Sequence, residues 1–441
     1  MPVTDSVVDL VVIGGGPAGQ EAALEGARLG VRVALVDDGP RMGGAVATGT
    51  VPSKALHDAA RGGRAGLDLA WLGPLVDEHA AAAALRLERA GVTWVRGRAR
   101  FGSATTVVVA GPDGERTLTA KGVVLATGSR PVRPRIVPAH PRVLDSDGVA
   151  WLPRLPRTLL VLGSGVVAWE WASILAGLGV AVTFVDPSPR PLTGQEPALV
   201  DLVRERFARD GGTLLQGEAP AEVLPREDGV GLRLRSGRLL EAERLLVSAG
   251  RAPDLAPLAL ERAGLVVEPP GRLRLDAQGR TSAPHITVAG DLAGPPGLAT
   301  TAMEQGRRAA ALALGRDPGP APPAPPVGIY TLPELASAGE DAATARARGA
   351  RVVVGRAALG ALARGRISGT QGVLQLVVDE GSGALLGVQI AGDGATELVH
   401  VGLLSLGRPA LDLARTPFNY PSLAEAYREA ALDLGRQRVA A

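Results

Sequence analysis

Two glycine-rich turns carry the most telling spacing in the chain. Gly14-x-Gly16-x-x-Gly19 follows the apolar run VDLVVI (8–13) and opens a helical stretch. Glycines so placed permit a tight turn, close approach of backbone to a pyrophosphate, and close helix–strand packing. The free N–H groups and positive dipole of a helix start favour bound phosphate. Asp37 ends the next strand-like run, 23 residues after Gly14. A carboxylate there can accept from ribose hydroxyls. Gly163-x-Gly165-x-x-Ala168 repeats the device, with Asp186 at the same offset from its first glycine. That acid favours a free ribose 2′-hydroxyl and predicts NAD(H) at the second site. Arg190 lies just beyond, either pairing with a 2′-phosphate and admitting NADP(H) or standing as an ordinary surface arginine. Two dinucleotide sites in one chain point to a flavin, FAD, working with a nicotinamide nucleotide and exchanging hydride with it.

These turns need strand–turn–helix–strand units to hold them. The first unit runs through VRVALVDD (31–38) and the second through 157–186, so the pattern is duplicated about 150 residues along. Within the second unit, 159–185 is 27 residues long with one charge, Glu170, and hydropathy alone would read it as a membrane span. Its four glycines divide it into strand, turn, helix and strand, so a buried βαβ start is expected and no membrane span. HITVAGD (285–291) reads as a further buried strand, and DPGPAPPAPPV (317–327) as a semi-rigid linker. The residues beyond it alternate strand-like runs such as GVLQLVVD (372–379) with helices, the last expected around 422–434.

Composition sets limits. The 441 residues allow about three domains, and 46% hydrophobic content allows a large core. Net charge is +2 with acids and bases interspersed, which gives no footprint for nucleic acid. The start MPVTDSVVDL lacks the basic and apolar regions of a signal peptide, so none is expected, and the two nicotinamide-type sites make the cytoplasm the natural location. Cysteine is absent, which excludes disulfides, Cys-ligated metals and thiol nucleophiles. Only Lys54 and Lys121 are lysines among 47 basic residues, a skew that suggests a GC-rich genome.

The order of motifs resembles the FAD-dependent pyridine nucleotide–disulfide oxidoreductase family over essentially the full length. The matching segments are Gly14–Gly19, MGGAVATGTVPSKAL (42–56), Ala126-Thr127-Gly128, the second turn through Glu170, SAGRAPD (248–254), AGD (289–291) and IYTLPELASAG (329–339). The resemblance implies an α/β fold: two Rossmann-like domains, for FAD and NAD(P), plus a C-terminal α+β dimerisation domain. It divides the chain into FAD-binding parts at 1–150 and 269–318, an NAD(P)-binding domain at 151–268, a proline-rich linker at 319–326 and an interface domain at 327–441. It adds Thr127, Gly128, Ser129, Asp291, Leu298, Ala299 and Thr300 as FAD contacts and Gly250 as a nucleotide contact. It also places Lys54 beside the flavin, paired with Glu170. A cation there would stabilise negative charge on the ring.

Three positions depart from the family. Its redox disulfide would fall at Ala45 and Thr50, and its C-terminal His at Tyr420, while the partner acid remains as Glu425. The wording GTVPSK (49–54) and FNYP…AEAYR (418–428) resembles the soluble pyridine nucleotide transhydrogenases, which keep the first cysteine and lack an acid where Asp186 stands. Tyr420 would either wall the flavin pocket across the dimer or serve as an interface aromatic. His400 is expected to pack in the interface domain. The expectation is a homodimeric FAD enzyme that passes hydride from NAD(P)H through flavin to a second acceptor, without a disulfide. That acceptor is another nicotinamide nucleotide, or a quinone or dye as in a diaphorase. A cysteine-less lipoamide dehydrogenase relative and a non-catalytic FAD-binding redox sensor or scaffold are the alternatives.

Overall fold

Runs of valine, leucine and isoleucine bounded by glycine turns form the strands of two parallel sheets. The computed structural model describes residues 6–63, 68–253, 255, 258–269, 271–320 and 324–440, with side chains up to 436. Asp254 of the SAGRAPD segment and residues 321–323 of the expected linker lie outside the described residues.

In the first sheet β1 (Ser6–Ile13) leads through α1 (Pro17–Arg28) to β2 (Val33–Asp37). Helix α2 (Val51–Arg61) follows a π-helical turn at Val46–Thr50. β1 lies between β2 and β3 (Gly114–Leu125), parallel to both, with Val12 opposite Leu35 and Val124. The first part of β3 pairs antiparallel with Thr106–Gly111, and its end pairs parallel with Ile286–Val288. The chain therefore leaves this sheet, builds another domain, and returns to it.

The second sheet is built on β4 (Thr158–Gly163), α3 (Val166–Gly177), β5 (Ala181–Asp186) and β6 (Arg244–Ser248). Its strand order is Thr213–Gln216, β5, β4, β6, Val143–Leu144, all parallel. The apolar run 159–185 is this β4–α3–β5 unit. Helix α3 is buried from Ala168 to Ala176 because it is covered on several sides. Trp169 packs on Phe184 and Phe207, with ring centroids 4.8 and 6.1 Å away. Burial of each phenylalanine contributes roughly 1.5–3 kcal/mol. At the far end a Cβ on Gly177 would lie 2.6 Å from Leu332 of the third domain. Among the described residues no helix is long and apolar enough to cross a membrane.

Both edges of the second domain interleave with the first. Val143–Leu144 already belongs to the second sheet. Leu258, Leu260, Ala263 and Leu265 pack with Val95 and Phe101 in the first sheet's core, ahead of the expected return at 269. α4 (Ala299–Ala313) then lies against α1, so closely that a Cβ on Gly306 would sit 2.0 Å from the Ala18 carbonyl oxygen.

The third domain is a five-stranded antiparallel sheet, ordered Val327–Ile329, Leu335–Gly339, Leu385–Gly392, Gly372–Asp379, Val352–Ala358. Helices α5 (Ala395–Ser405) and α6 (Glu425–Ala440) pack on it. Tyr427 is fully buried between them; its hydroxyl donates to the Leu398 carbonyl and accepts from the Gly402 N–H.

Candidate active site

The glycines of the first turn divide by what surrounds them. Gly14 has a φ of +109°, and a Cβ on it would meet the Ala126 carbonyl oxygen at 2.3 Å. A Cβ on Gly19 would lie 1.7 Å from the Gly14 carbonyl oxygen. These two glycines let strand, turn and helix close on one another. Gly16 faces open space, with nothing within 4 Å of a built Cβ. It caps α1 without a side-chain hydrogen bond, and the first turn carries no acid. The N–H groups there are free for an anion.

Asp37 lies in the adjoining cleft of about 240 Å³, with Gly14 and Thr127. Its carboxylate accepts from the N–H groups of Gly15 (2.6 Å) and Gly39 (2.9 Å), and burial pushes its pKa up. Thr127 Oγ1 is buried without a hydrogen-bond partner. An open glycine cradle, a bare helix start and an orphaned hydroxyl fit the pyrophosphate and ribose of a dinucleotide.

The second turn opens on a groove of about 540 Å³ lined by Gly163, Gly165, Val166, Gly250 and Arg251 among others. Gly165 faces open space and starts α3 without a side-chain cap, as Gly16 does for α1. A Cβ on Gly163 would meet the Ser248 carbonyl oxygen at 2.6 Å and Ala168 Cβ at 2.8 Å. Asp186 differs from the expectation. It is fully buried, and its carboxylate accepts from the Trp169 indole N–H (3.4 Å) and the Ser188 N–H (2.9 Å). No part of it reaches the groove lining. The neighbouring indole on α3 holds it there, a contact that spacing alone does not disclose. Arg190 is exposed on the following loop, where its N–H donates to Ser188 Oγ.

A third cavity, about 400 Å³, joins the domains. Lys54 on α2 and Glu170 on α3 meet there, Nζ to Oε2 2.8 Å. The other oxygen of Glu170 accepts from the Tyr330 N–H at 2.8 Å, and Lys54 Nζ lies 4.6 Å from the centre of the Tyr330 ring. The ammonium is thus held by a carboxylate and an aromatic face. Ala45, Gly49 and Thr50 line the same cavity, so the two positions at which the family resemblance would place thiols face it. So do Asp291 and the uncapped start of α4, Leu298, Ala299 and Thr300. Ser129 Oγ donates to Asp291 Oδ2 at 2.6 Å. Gly128 takes a φ of +72° at the turn before it.

Arg251, Tyr330 and His400 join the site although motif spacing does not mark them. Arg251 donates to Ser129 Oγ (2.9 Å), the Ser129 carbonyl (2.7 Å) and Asp147 (2.7 Å), and lines both groove and cavity. Its position in the SAGRAPD segment was the available signal. His400 lines the cavity from α5 with Thr396 and Val399, and is not simply packed among interface residues. It is the only one of five histidines to do so. Nothing in its local sequence points there, because the docking of the third domain decides it.

Tyr420 and Glu425 do not line this cavity within the same chain. Tyr420 is 72% exposed, and Glu425 accepts from the Ser422 N–H at 3.2 Å at the start of α6.

Comparison with known proteins gives a consistent result. The family model described as pyridine nucleotide-disulphide oxidoreductase matches residues 8–306, and that family's dimerisation domain matches 325–431. The soluble pyridine nucleotide transhydrogenase of Marinomonas sp. is 36% identical, covering 96% of this chain and 97% of that protein. One from Mycobacterium tuberculosis is also 36% identical, covering 97% of each. Among solved structures, LpdA from Mycobacterium tuberculosis superposes with a TM-score of 0.88 at 29% identity, covering 97% of this chain and all of that one. The HOCl-induced flavoprotein disulfide reductase RclA from Escherichia coli shares the fold, with a TM-score of 0.89 at 24% identity over 97% and 99% of the chains.

Proposed function

The chain belongs to the pyridine nucleotide-disulphide oxidoreductase family, and from that premise we infer an FAD-dependent NAD(P)H oxidoreductase that works without a redox disulfide. One observation carries the reading. The Lys54–Glu170 pair stands in the cavity while Ala45 and Thr50 occupy the thiol positions. The machinery beside the flavin is kept and the relay beyond it is gone.

Gly14, Gly16 and Gly19 with the start of α1 would hold the FAD pyrophosphate, and Asp37 and Thr127 its ribose end. Ser129 and Asp291 would orient the ribityl chain, and the α4 start at Leu298, Ala299 and Thr300 would face the ring's polar edge. FAD held by these residues would supply a ring able to accept hydride from a reduced nicotinamide and pass it to a second acceptor. Lys54, fixed by Glu170 and Tyr330, supplies a preorganised positive charge that needs no rearrangement during the reaction. Gly163, Gly165 and Ala168 with the start of α3 would bind the nicotinamide nucleotide's pyrophosphate. Val166, Val167 and Arg251 border both groove and cavity, so a nucleotide in the groove would direct its ring to the cavity. The second acceptor in this reading is another nicotinamide nucleotide, as the relatives' name says of them. The dimerisation-domain match supports a homodimer. In this reading Tyr420 and Glu425 would reach the partner's cavity.

One observation favours a second reading beside it. A quinone reduced by hydride also takes a proton, and a nicotinamide does not. His400 lines the cavity wall, and an imidazole there is a residue type suited to delivering that proton, which transhydrogenation does not need.

The test is anaerobic. NADH or NADPH should bleach the flavin within seconds, and thio-NAD(P)⁺ should restore its colour with ping-pong kinetics. Colour restored by a quinone but not by thio-NAD(P)⁺ selects the second reading. A flavin that neither nucleotide bleaches leaves only a non-catalytic FAD-binding scaffold.

A further inference from the structure

An acid at the end of the second strand of a dinucleotide-binding unit ordinarily accepts from the ribose diol and repels a 2′-phosphate. Asp186 stands at that position and does neither in this fold. It has no exposed surface, and both of its oxygens are used internally, by the Trp169 indole N–H and the Ser188 N–H. Trp169 is itself fully buried, its ring fixed edge-on against Phe184 and Phe207. The indole cannot follow the carboxylate outward, so the hydrogen bond tethers the acid inward. Burial also pushes the Asp186 pKa up.

A second observation is independent of the first. Among the described residues no carboxylate lines the groove; the one charged residue in its lining is Arg251, itself paired with Asp147 at 2.7 Å. The loop that leaves β5 carries a further cation, Arg190, exposed to solvent. Among the described residues the groove lining therefore sets no carboxylate against a 2′-phosphate.

We propose that Trp169 sets the nucleotide range of the second groove: by holding Asp186 beneath the floor, it lets the groove take nucleotides with either a 2′-hydroxyl or a 2′-phosphate. Trp169 is a specificity-determining residue that acts through Asp186 and touches no nucleotide. The inference rests on the reading of this groove as the nicotinamide nucleotide site. It also supplies what a single-groove transhydrogenase requires, since NAD(H) and NADP(H) must enter the same place in turn.

The experiment is equilibrium binding to the FAD-loaded enzyme, by calorimetry, of ADP-ribose and of its 2′-phosphate. For the native chain the two dissociation constants should agree within about tenfold. D186N should leave their ratio unchanged, because the carboxylate does not reach the ligand. W169F keeps an aromatic ring and removes the indole donor; the freed carboxylate should raise discrimination against the 2′-phosphate about tenfold. The double variant should return to the native ratio. The proposal is overturned if the native enzyme already rejects the 2′-phosphate by about a hundredfold and D186N abolishes that preference. It is also overturned if W169F keeps its fold and flavin but leaves the ratio unmoved. D186N decides the matter if W169F does not fold. Binding of neither ligand would instead remove the nucleotide reading of the groove, and this inference with it.

Discussion

Lys54 Nζ and Glu170 Oε2 lie 2.8 Å apart although 116 positions separate them in the chain. The pair links the first dinucleotide unit to the second, and the Tyr330 N–H on the other carboxylate oxygen ties in the third domain. One ion pair thus brings together residues of all three domains at the cavity. Both partners are largely shielded, with side-chain exposures of 27% and 10%. K54M should slow anaerobic flavin reduction by NADH about a hundredfold. It should also destabilise the fold by about 1–3 kcal/mol, since Glu170 keeps its burial and loses a partner. Stopped-flow absorbance and thermal unfolding measure the two effects. A wild-type reduction rate in K54M would remove the electrostatic role.

Gly16 and Gly19 should respond differently to the same change. G19A places a methyl 1.7 Å from the Gly14 carbonyl oxygen, so the turn must open, at about 1–3 kcal/mol. G16A meets nothing within 4 Å, and its φ of −73° suits alanine. G16A should therefore melt like the native apoprotein, within about 0.5 kcal/mol. It should nevertheless bind FAD at least about tenfold more weakly, because the methyl enters the space for the pyrophosphate. Unaltered FAD affinity in G16A would place the cofactor elsewhere.

His400 separates the two acceptor classes. H400N should cut quinone-driven reoxidation about a hundredfold, the usual contribution of a positioned proton donor. Reoxidation by thio-NAD(P)⁺ should stay at the native rate, since hydride transfer between nicotinamides moves no separate proton. Equal slowing of both would reduce His400 to a packing role.

His57 gives the stability of the protein a pH dependence. It is buried on α2, with Nε2 3.0 Å from the Thr331 carbonyl oxygen and its ring 5.6 Å from that of Tyr330. Burial lowers its pKa; Glu334 and Glu170 oppose the shift and Arg61 adds to it. Above the ordinary imidazole pKa near 6.5 both states carry the neutral ring and His57 adds no slope. As pH falls below that value the unfolded chain takes up a proton that the folded one resists, so stability declines until the lowered folded value is passed. Denaturant titrations between pH 7 and the mildly acidic range should show this slope, and H57Q should flatten it. An undiminished slope in H57Q would assign the dependence to other groups.

The glycine turns, the strand–helix alternation and the lysine beside the missing thiols were legible because each depends on a short stretch of chain. A Gly14 with φ of +109° or a Gly19 pressed on a carbonyl is a local demand that few residues satisfy. The apolar run 159–185 was likewise resolved by its own glycines. The interleaving of the first two domains was less legible, because Leu258 and Leu260 could serve either core until the chain is folded.

By itself the sequence determined the α/β architecture, the two dinucleotide turns and the absence of any thiol relay. All three follow from residue type and spacing, which fix what the backbone can adopt and what chemistry is available. The tertiary structure alone decided the fate of side chains that act at a distance. Asp186 occupies the expected position at its strand end, yet Trp169, Phe184 and Phe207 pack so that the carboxylate turns inward. His400 enters the cavity because the third domain docks against α2 and α3. Position in a motif is set by the chain, whereas the direction a carboxylate or imidazole faces is set by which donors and surfaces the folded core leaves beside it.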